Sequence, residues 1–97
     1  MFQYEIYIPS EFKTHIHHVA SFFTIYYGGA TTYQANGIWR NDINEPEEEA
    51  VTVVRSISTT DKDWPIQSMA EIIKAECKQS AILWTKQPIQ SFLVTED

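Results

Sequence analysis

The 97-residue chain has 43% hydrophobic and 13% aromatic residues, a formal net charge of −6 and one cysteine. This balance excludes intrinsic disorder and suits a single small core, so residues 1–97 read as one domain. A lone cysteine excludes an intramolecular disulfide framework and a cysteine-based zinc site, and seven scattered Lys and Arg argue against nucleic acid, whose phosphates require a basic patch.

No apolar run approaches the ~18 residues of a membrane span, and Met1-Phe2-Gln3-Tyr4-Glu5 lacks the positive n-region of a signal peptide. A cytoplasmic protein without membrane or cofactor is expected. Phe2 to Ile8 alternates, with Phe2, Tyr4, Ile6 and Ile8 on one side and Gln3, Glu5 and Tyr7 on the other. That period predicts a strand with one face on the core, ended by Pro9. Ser10 is a candidate N-cap, with Glu11 in the first turn. Phe12, Ile16, Val19, Ala20, Phe23 and Tyr27 then recur at helical spacing, and Gly28 or Gly29 would supply the left-handed residue that ends the helix.

Ala30 to Arg40 is the second strand region, where two geometries compete. Asn36-Gly37 could fold Ile38–Ile43 back on Thr31–Ala35 as a hairpin, or Gly37 could form a bulge inside one long strand. The bulged strand is preferred, because Asn41-Asp42-Ile43-Asn44-Glu45-Pro46 looks more like the turn. Glu45, Glu47, Glu48 and Glu49 precede a β-branched run, Ala50 to Ser58. It puts Val51, Val53 and Ile57 on one face and Thr52, Val54 and Ser56 on the other. Arg55 interrupts the apolar register and is expected where the strand leaves the core.

After the polar stretch Thr59–Asp63, Pro65 suits a first helical turn. Ile66, Met69, Ala70, Ile73 and Cys77 give a second amphipathic helix ending near Lys78 or Gln79, with Cys77 as a buried structural thiol. Ala81 to Lys86 is a fourth strand, Gln87-Pro88 a turn, and Ile89 to Val94 a short fifth strand antiparallel to the fourth. The order predicts an α+β, ferredoxin-like β-α-β-β-α-β fold with an extra C-terminal strand: an antiparallel sheet with two helices on one face. The other face would include Tyr7 and Val54, and pairing with a second copy would cover it.

Few residues suggest chemistry. Glu11, His15 and His18 share a helix flank, but no fuller ligand set accompanies them, and surface histidines are the expectation. The Glu45–Glu49 cluster lacks a calcium-loop pattern and reads as an edge guard against aggregation. Gly28-Gly29 leaves a helix and enters a strand, the wrong polarity for a phosphate loop. No GxSxG elbow occurs. Neither a catalytic residue nor a metal ligand is therefore assigned. Tyr33, Trp39 and Arg40 form the candidate recognition patch, being residue types enriched at binding hot spots.

The run Gly28-Gly29-Ala30-Thr31-x-Tyr33-x-x-x-Gly37-x-Trp39, followed by Glu45 and the β-branched strand, resembles a pattern in small uncharacterised bacterial and phage-type proteins. In those chains the segment forms the strand after the first helix. Lys78-Gln79-Ser80-Ala81-Ile82-Leu83-Trp84 is similar to their exit from the second helix, and Pro88 to Val94 to their final strand. The resemblance implies the same fold and transfers no activity. The expectation is a non-enzymatic binding or regulatory module acting as a homodimer, with a protein or small-molecule partner. Alternatives are a phage- or plasmid-type acidic inhibitor of a basic protein surface, or a small enzyme with its site in a dimer cleft.

Overall fold

In the computed structural model, which describes residues 1–96, the chain forms β1 (Phe2–Pro9), α1 (Lys13–Tyr27), β2 (Thr31–Arg40), β3 (Pro46–Ser58), α2 (Trp64–Glu76) and β4 (Trp84–Pro88). The sheet order is β2-β3-β1-β4 and each neighbouring pair is antiparallel. This is the ferredoxin-like α+β topology. The alternation in β1 buries Tyr4, Ile6 and Ile8 together with Val54 of β3. Val19, Phe23 and Tyr27 from α1 and Ile66, Ala70 and Ile73 from α2 complete the same cluster. Both helices therefore cover one face of the sheet, as their apolar stripes predict. Among the described residues, no helix is long and apolar enough to cross a membrane.

Gly28 ends α1 in the left-handed region, with φ 96° and its N–H donated to the Thr24 carbonyl at 3.2 Å. A residue with a Cβ would be strained there. Ser10 does not cap α1. The helix begins later, after Phe12, without a side-chain cap, because the Ser10 hydroxyl is spent on Gln34 (3.0 Å) and Thr52 (2.9 Å) across the sheet.

Asn36-Gly37 is neither a hairpin turn nor a bulge. The register runs unbroken from Thr31↔Arg55 to Arg40↔Pro46, and the turn lies at Asn41–Glu45. There the Asn41 side-chain carbonyl accepts the N–H groups of Ile43 (3.1 Å) and Glu45 (2.9 Å), and Asn44 takes φ 63°. An Asx turn thus supplies what the Asn-Gly signal promises elsewhere. Gly37 has a different purpose: the Trp39 ring lies across it, and a Cβ would stand 2.7 Å from that ring.

Two further expectations are corrected. Tyr7 pairs with Val53, and Ile6 with Val54, so Val54 belongs to the helix-side core and Val53 to the reverse face. The fifth strand is absent, and Ile89–Glu96 forms no regular structure. Gln87-Pro88 does not reverse the chain but ends β4, paired with Gln3 and Phe2. The next amide, Ile89 N–H, bonds onward to the Met1 carbonyl at 3.0 Å, so the chain runs straight on instead of folding back.

A polar seam joins the loop before α2 to the sheet. Tyr4 donates to Asp63 (3.1 Å) and accepts from Lys62 N–H (2.8 Å), while Tyr27 donates to the Lys62 carbonyl (2.7 Å). Lys86 pairs with Asp63 at 3.0 Å and with Asp61. The Lys86 ammonium holds the Asp63 carboxyl below its usual range. Cys77 is buried in the core cluster, and burial raises its thiol away from reactivity.

Candidate functional site

The reverse face of the sheet carries the residues that face away from the helices. Its central row is Leu83, Tyr7, Val53 and Tyr33, fixed by the pairing of Tyr7 with Val53, of Val53 with Tyr33, and by a bond from Tyr7 N–H to the Leu83 carbonyl (3.1 Å). A neighbouring row runs Thr85, Glu5, Arg55 and Thr31. Between these rows sits a polar island. Both Tyr33 and Tyr7 donate to Glu5, one to each carboxylate oxygen, the latter at 3.4 Å. The Arg55 guanidinium lies 5.6 Å from the Tyr33 ring centre. Arg55 is thus a half-buried mid-sheet residue and does not mark the end of the strand.

Both Glu5 oxygens are thus engaged by tyrosine hydroxyls, which hold the carboxylate in place on the face. The Glu5 carboxylate that accepts its proton, helped by partial burial, pushes Tyr33 from 10.0 up to about 12. A raised tyrosine pKa means that the neutral, bonded form is favoured in the fold. Its contribution is complete below the ordinary tyrosine pKa and is lost as pH rises through about 12. A titration followed tyrosine by tyrosine in the NMR spectrum should therefore show Tyr33 ionising late, as burial also makes Tyr4, Tyr7 and Tyr27 do, and Glu5→Ala should return Tyr33 toward 10.0. A wild-type Tyr33 that ionises with an ordinary pKa would show that the island does not exist in solution.

The second feature lies where β1 ends. β1 has 8 residues and β3 has 13, and the last contact with β3 on that side is the Ser10 N–H donated to the Ala50 carbonyl at 3.0 Å. Beyond it β2 and β3 pair with each other as a two-stranded arm, Gly37–Arg40 against Pro46–Glu49. Beside the arm is a cleft of about 330 Å³. Pro9, Val51 and Tyr7 lie toward the sheet, Trp39, Arg40 and Glu49 on the arm side, and Gln79–Leu83 on the opposite side. The Trp39 indole N–H donates to Glu49 at 3.1 Å, which fixes the ring over Gly37. Among the described residues Arg40 has no ion-pair partner.

The three patch residues are therefore only partly together. Trp39 and Arg40 line one cleft. Tyr33 shares a sheet face with Trp39, but six residues along the strand put it roughly 20 Å away, in the Glu5 island. The sequence reading missed Glu5, Tyr7 and Gln79–Leu83 as site residues. The outward positions of Glu5 and Tyr7 in β1 were a usable signal, whereas nothing local places Gln79–Leu83 beside Trp39. On α1, His15 pairs with Glu76 of α2 at 3.0 Å and not with Glu11, and His17 and His18 are exposed. No group of three or more His, Cys, Asp or Glu that could hold a metal occurs among the described residues.

The fold and the face define a ferredoxin-like α+β domain with one side of its sheet open. No protein-family model and no curated protein matches the chain.

Proposed function

We propose that this is a cytoplasmic, non-enzymatic binding or regulatory module that acts as a homodimer through the open faces of two sheets. One observation carries the reading: β3 is more apolar on its open side than a one-sided sheet requires. Val51, Val53 and Ile57 face away from the helices with Arg55 among them, while Thr52, Ser56 and Ser58 are buried on the helix side beside Val54. A sheet with water permanently on its open face needs the opposite pattern. Tyr33 (38% exposed) and Leu83 (47%) on one side of the Glu5–Arg55 row, and Ile57 (43%) on the other, are the apolar side chains that association removes from water. A two-fold contact also makes the same patch serve both copies.

Light scattering at micromolar concentration should give twice the chain mass. Leu83→Glu, which places a carboxylate on the half-exposed β4 edge of the contact, should weaken the dimer at least about tenfold. A wild-type protein of single-chain mass throughout that range would sink the proposal.

A second reading is supported by the arm itself. Asp42, Glu45, Glu47, Glu48 and Glu49 surround the exposed Ile38 and Ile43 on a hairpin that projects from the sheet. Acidic rim and apolar centre would suit a basic protein surface, and such an association should weaken steeply with salt.

A further inference from the structure

The segment after β4 carries three consecutive apolar side chains with little cover, although Phe92 and Leu93 edge a recess shared with Met1, Tyr27 and Ile57. Phe92, Leu93 and Val94 are consecutive and 87%, 89% and 92% exposed. Three such side chains in a row are a liability in water unless another surface takes them. The molecule also has a partly apolar recess, the Trp39 cleft, with Arg40 and Glu49 among its lining residues. The two match in chemistry and in order. The segment reads Phe92-Leu93-Val94-Thr95-Glu96, apolar and then acidic, and the cleft offers Tyr7, Val51 and Leu83 beside the Arg40 guanidinium, with the Glu49 carboxylate held by the Trp39 indole.

The segment cannot reach the cleft of its own chain. It leaves the sheet at the Phe2 end of β1, where Pro88 pairs with Phe2 and Ile89 N–H bonds to Met1. The cleft lies at the Pro9 end, roughly 23 Å away along the strand. From the fixed Ile89, Phe92 can extend only about 10 Å. A two-fold pairing of the open faces with strands antiparallel lays the Phe2 end of one copy over the Pro9 end of the other. The exit of the segment then comes beside the cleft of the partner.

We infer that in the dimer each copy seats Phe92 and Leu93 in the Trp39 cleft of its partner, with Glu96 reaching Arg40, so that a second copy of this chain is the occupant of that cleft. The inference rests on the face-to-face reading proposed above and adds a reciprocal exchange to it. The cleft volume is at the lower end of the range that holds a compact ligand, which suits one or two large side chains. The exchange would also account for the absent fifth strand: a β-prone segment kept free of its own sheet is available to another molecule.

The test is a dissociation constant from light scattering or sedimentation for the full chain and its variants. Phe92→Asp with Leu93→Asp should weaken the dimer at least about tenfold, while the thermal unfolding of the single chain stays unchanged, because neither side chain is packed in its own fold. Arg40→Glu should weaken it several-fold, and adding Glu96→Arg to that variant should restore it. If the aspartate pair leaves the dimer as tight as wild type while Leu83→Glu still breaks it, the exchange is wrong and face pairing stands. If the aspartate pair weakens the dimer but Arg40→Glu has no effect, the segment sits elsewhere on the partner and the proposed seat is overturned. A wild-type chain that stays monomeric defeats both ideas.

Discussion

Replacing Tyr27 by alanine should cost about 3–5 kcal/mol of folding stability, and replacing it by phenylalanine about 1–3 kcal/mol. Tyr27 stacks on Tyr4 with ring centres 4.7 Å apart and planes at 13°, and meets the edge of Phe23 at 5.2 Å. Alanine removes this whole aromatic block from a core built on one side of a four-stranded sheet, where little else can collapse into the space. Phenylalanine keeps the stack and deletes one oxygen. That oxygen donates to the Lys62 carbonyl and accepts the buried Ile66 N–H at 3.3 Å, so its loss leaves groups at the start of α2 without partners. Chemical denaturation of both variants separates the two terms. The argument about the seam fails if phenylalanine is as stable as tyrosine, because the hydroxyl would then be replaceable by water.

The same seam shows where the sequence was legible and where it was not. Helices and strands followed from spacing: the alternation of Tyr4, Ile6 and Ile8 placed β1, and the recurrence of Val19, Phe23 and Tyr27 placed α1. Gly28 announced the helix end because only a residue without a Cβ takes φ 96° at little cost. The errors have one physical origin. Local signals say which conformation a short segment prefers, but not which long-range partner will claim its polar groups. Ser10 reads as a cap until Thr52 and Gln34 take its hydroxyl. Gly37 reads as a bulge, but the register with β3 runs through it unbroken and the Trp39 ring fills the space over it, while the turn forms at Asn41–Glu45 where it is expected.

Which side of β3 faces the helices was not legible at all. Both faces are apolar enough, and a shift of one residue against β1 exchanges them. The register, and not the composition, sends Val53 outward and Val54 inward. The candidate site was half legible for a related reason. Residue types pointed to Trp39 and Arg40, but the Gln79–Leu83 side of their cleft is brought in only by the crossing of α2 to the far edge of the sheet.

Val53→Asp should destabilise the fold by about 3–5 kcal/mol, the cost of an uncompensated charge in a buried position. No helix lies over Val53, yet it is 0% exposed. Its cover comes from within the face: Tyr7 on β1 and Tyr33 on β2 are its direct cross-strand neighbours, and both lean toward Glu5, their common acceptor. A carboxylate at position 53 would lie beneath that roof with no cation assigned to it, since Arg55 already stands by Tyr33. It would also repel the Glu5 charge that holds the two hydroxyls. For a domain of this size such a cost is a large share of the total stability. The urea midpoint should fall while the slope of the transition stays constant, because the surface exposed on unfolding hardly changes. Leu83→Glu lies in the same row but is half exposed, and it should leave the single-chain midpoint almost unaltered while it separates the copies. The two acidic substitutions thus divide the face into a part the fold needs and a part only association needs. An aspartate at Val53 tolerated without loss would mean that Tyr7 and Tyr33 do not shield it in solution, and the island around Glu5 would then have to be open to water.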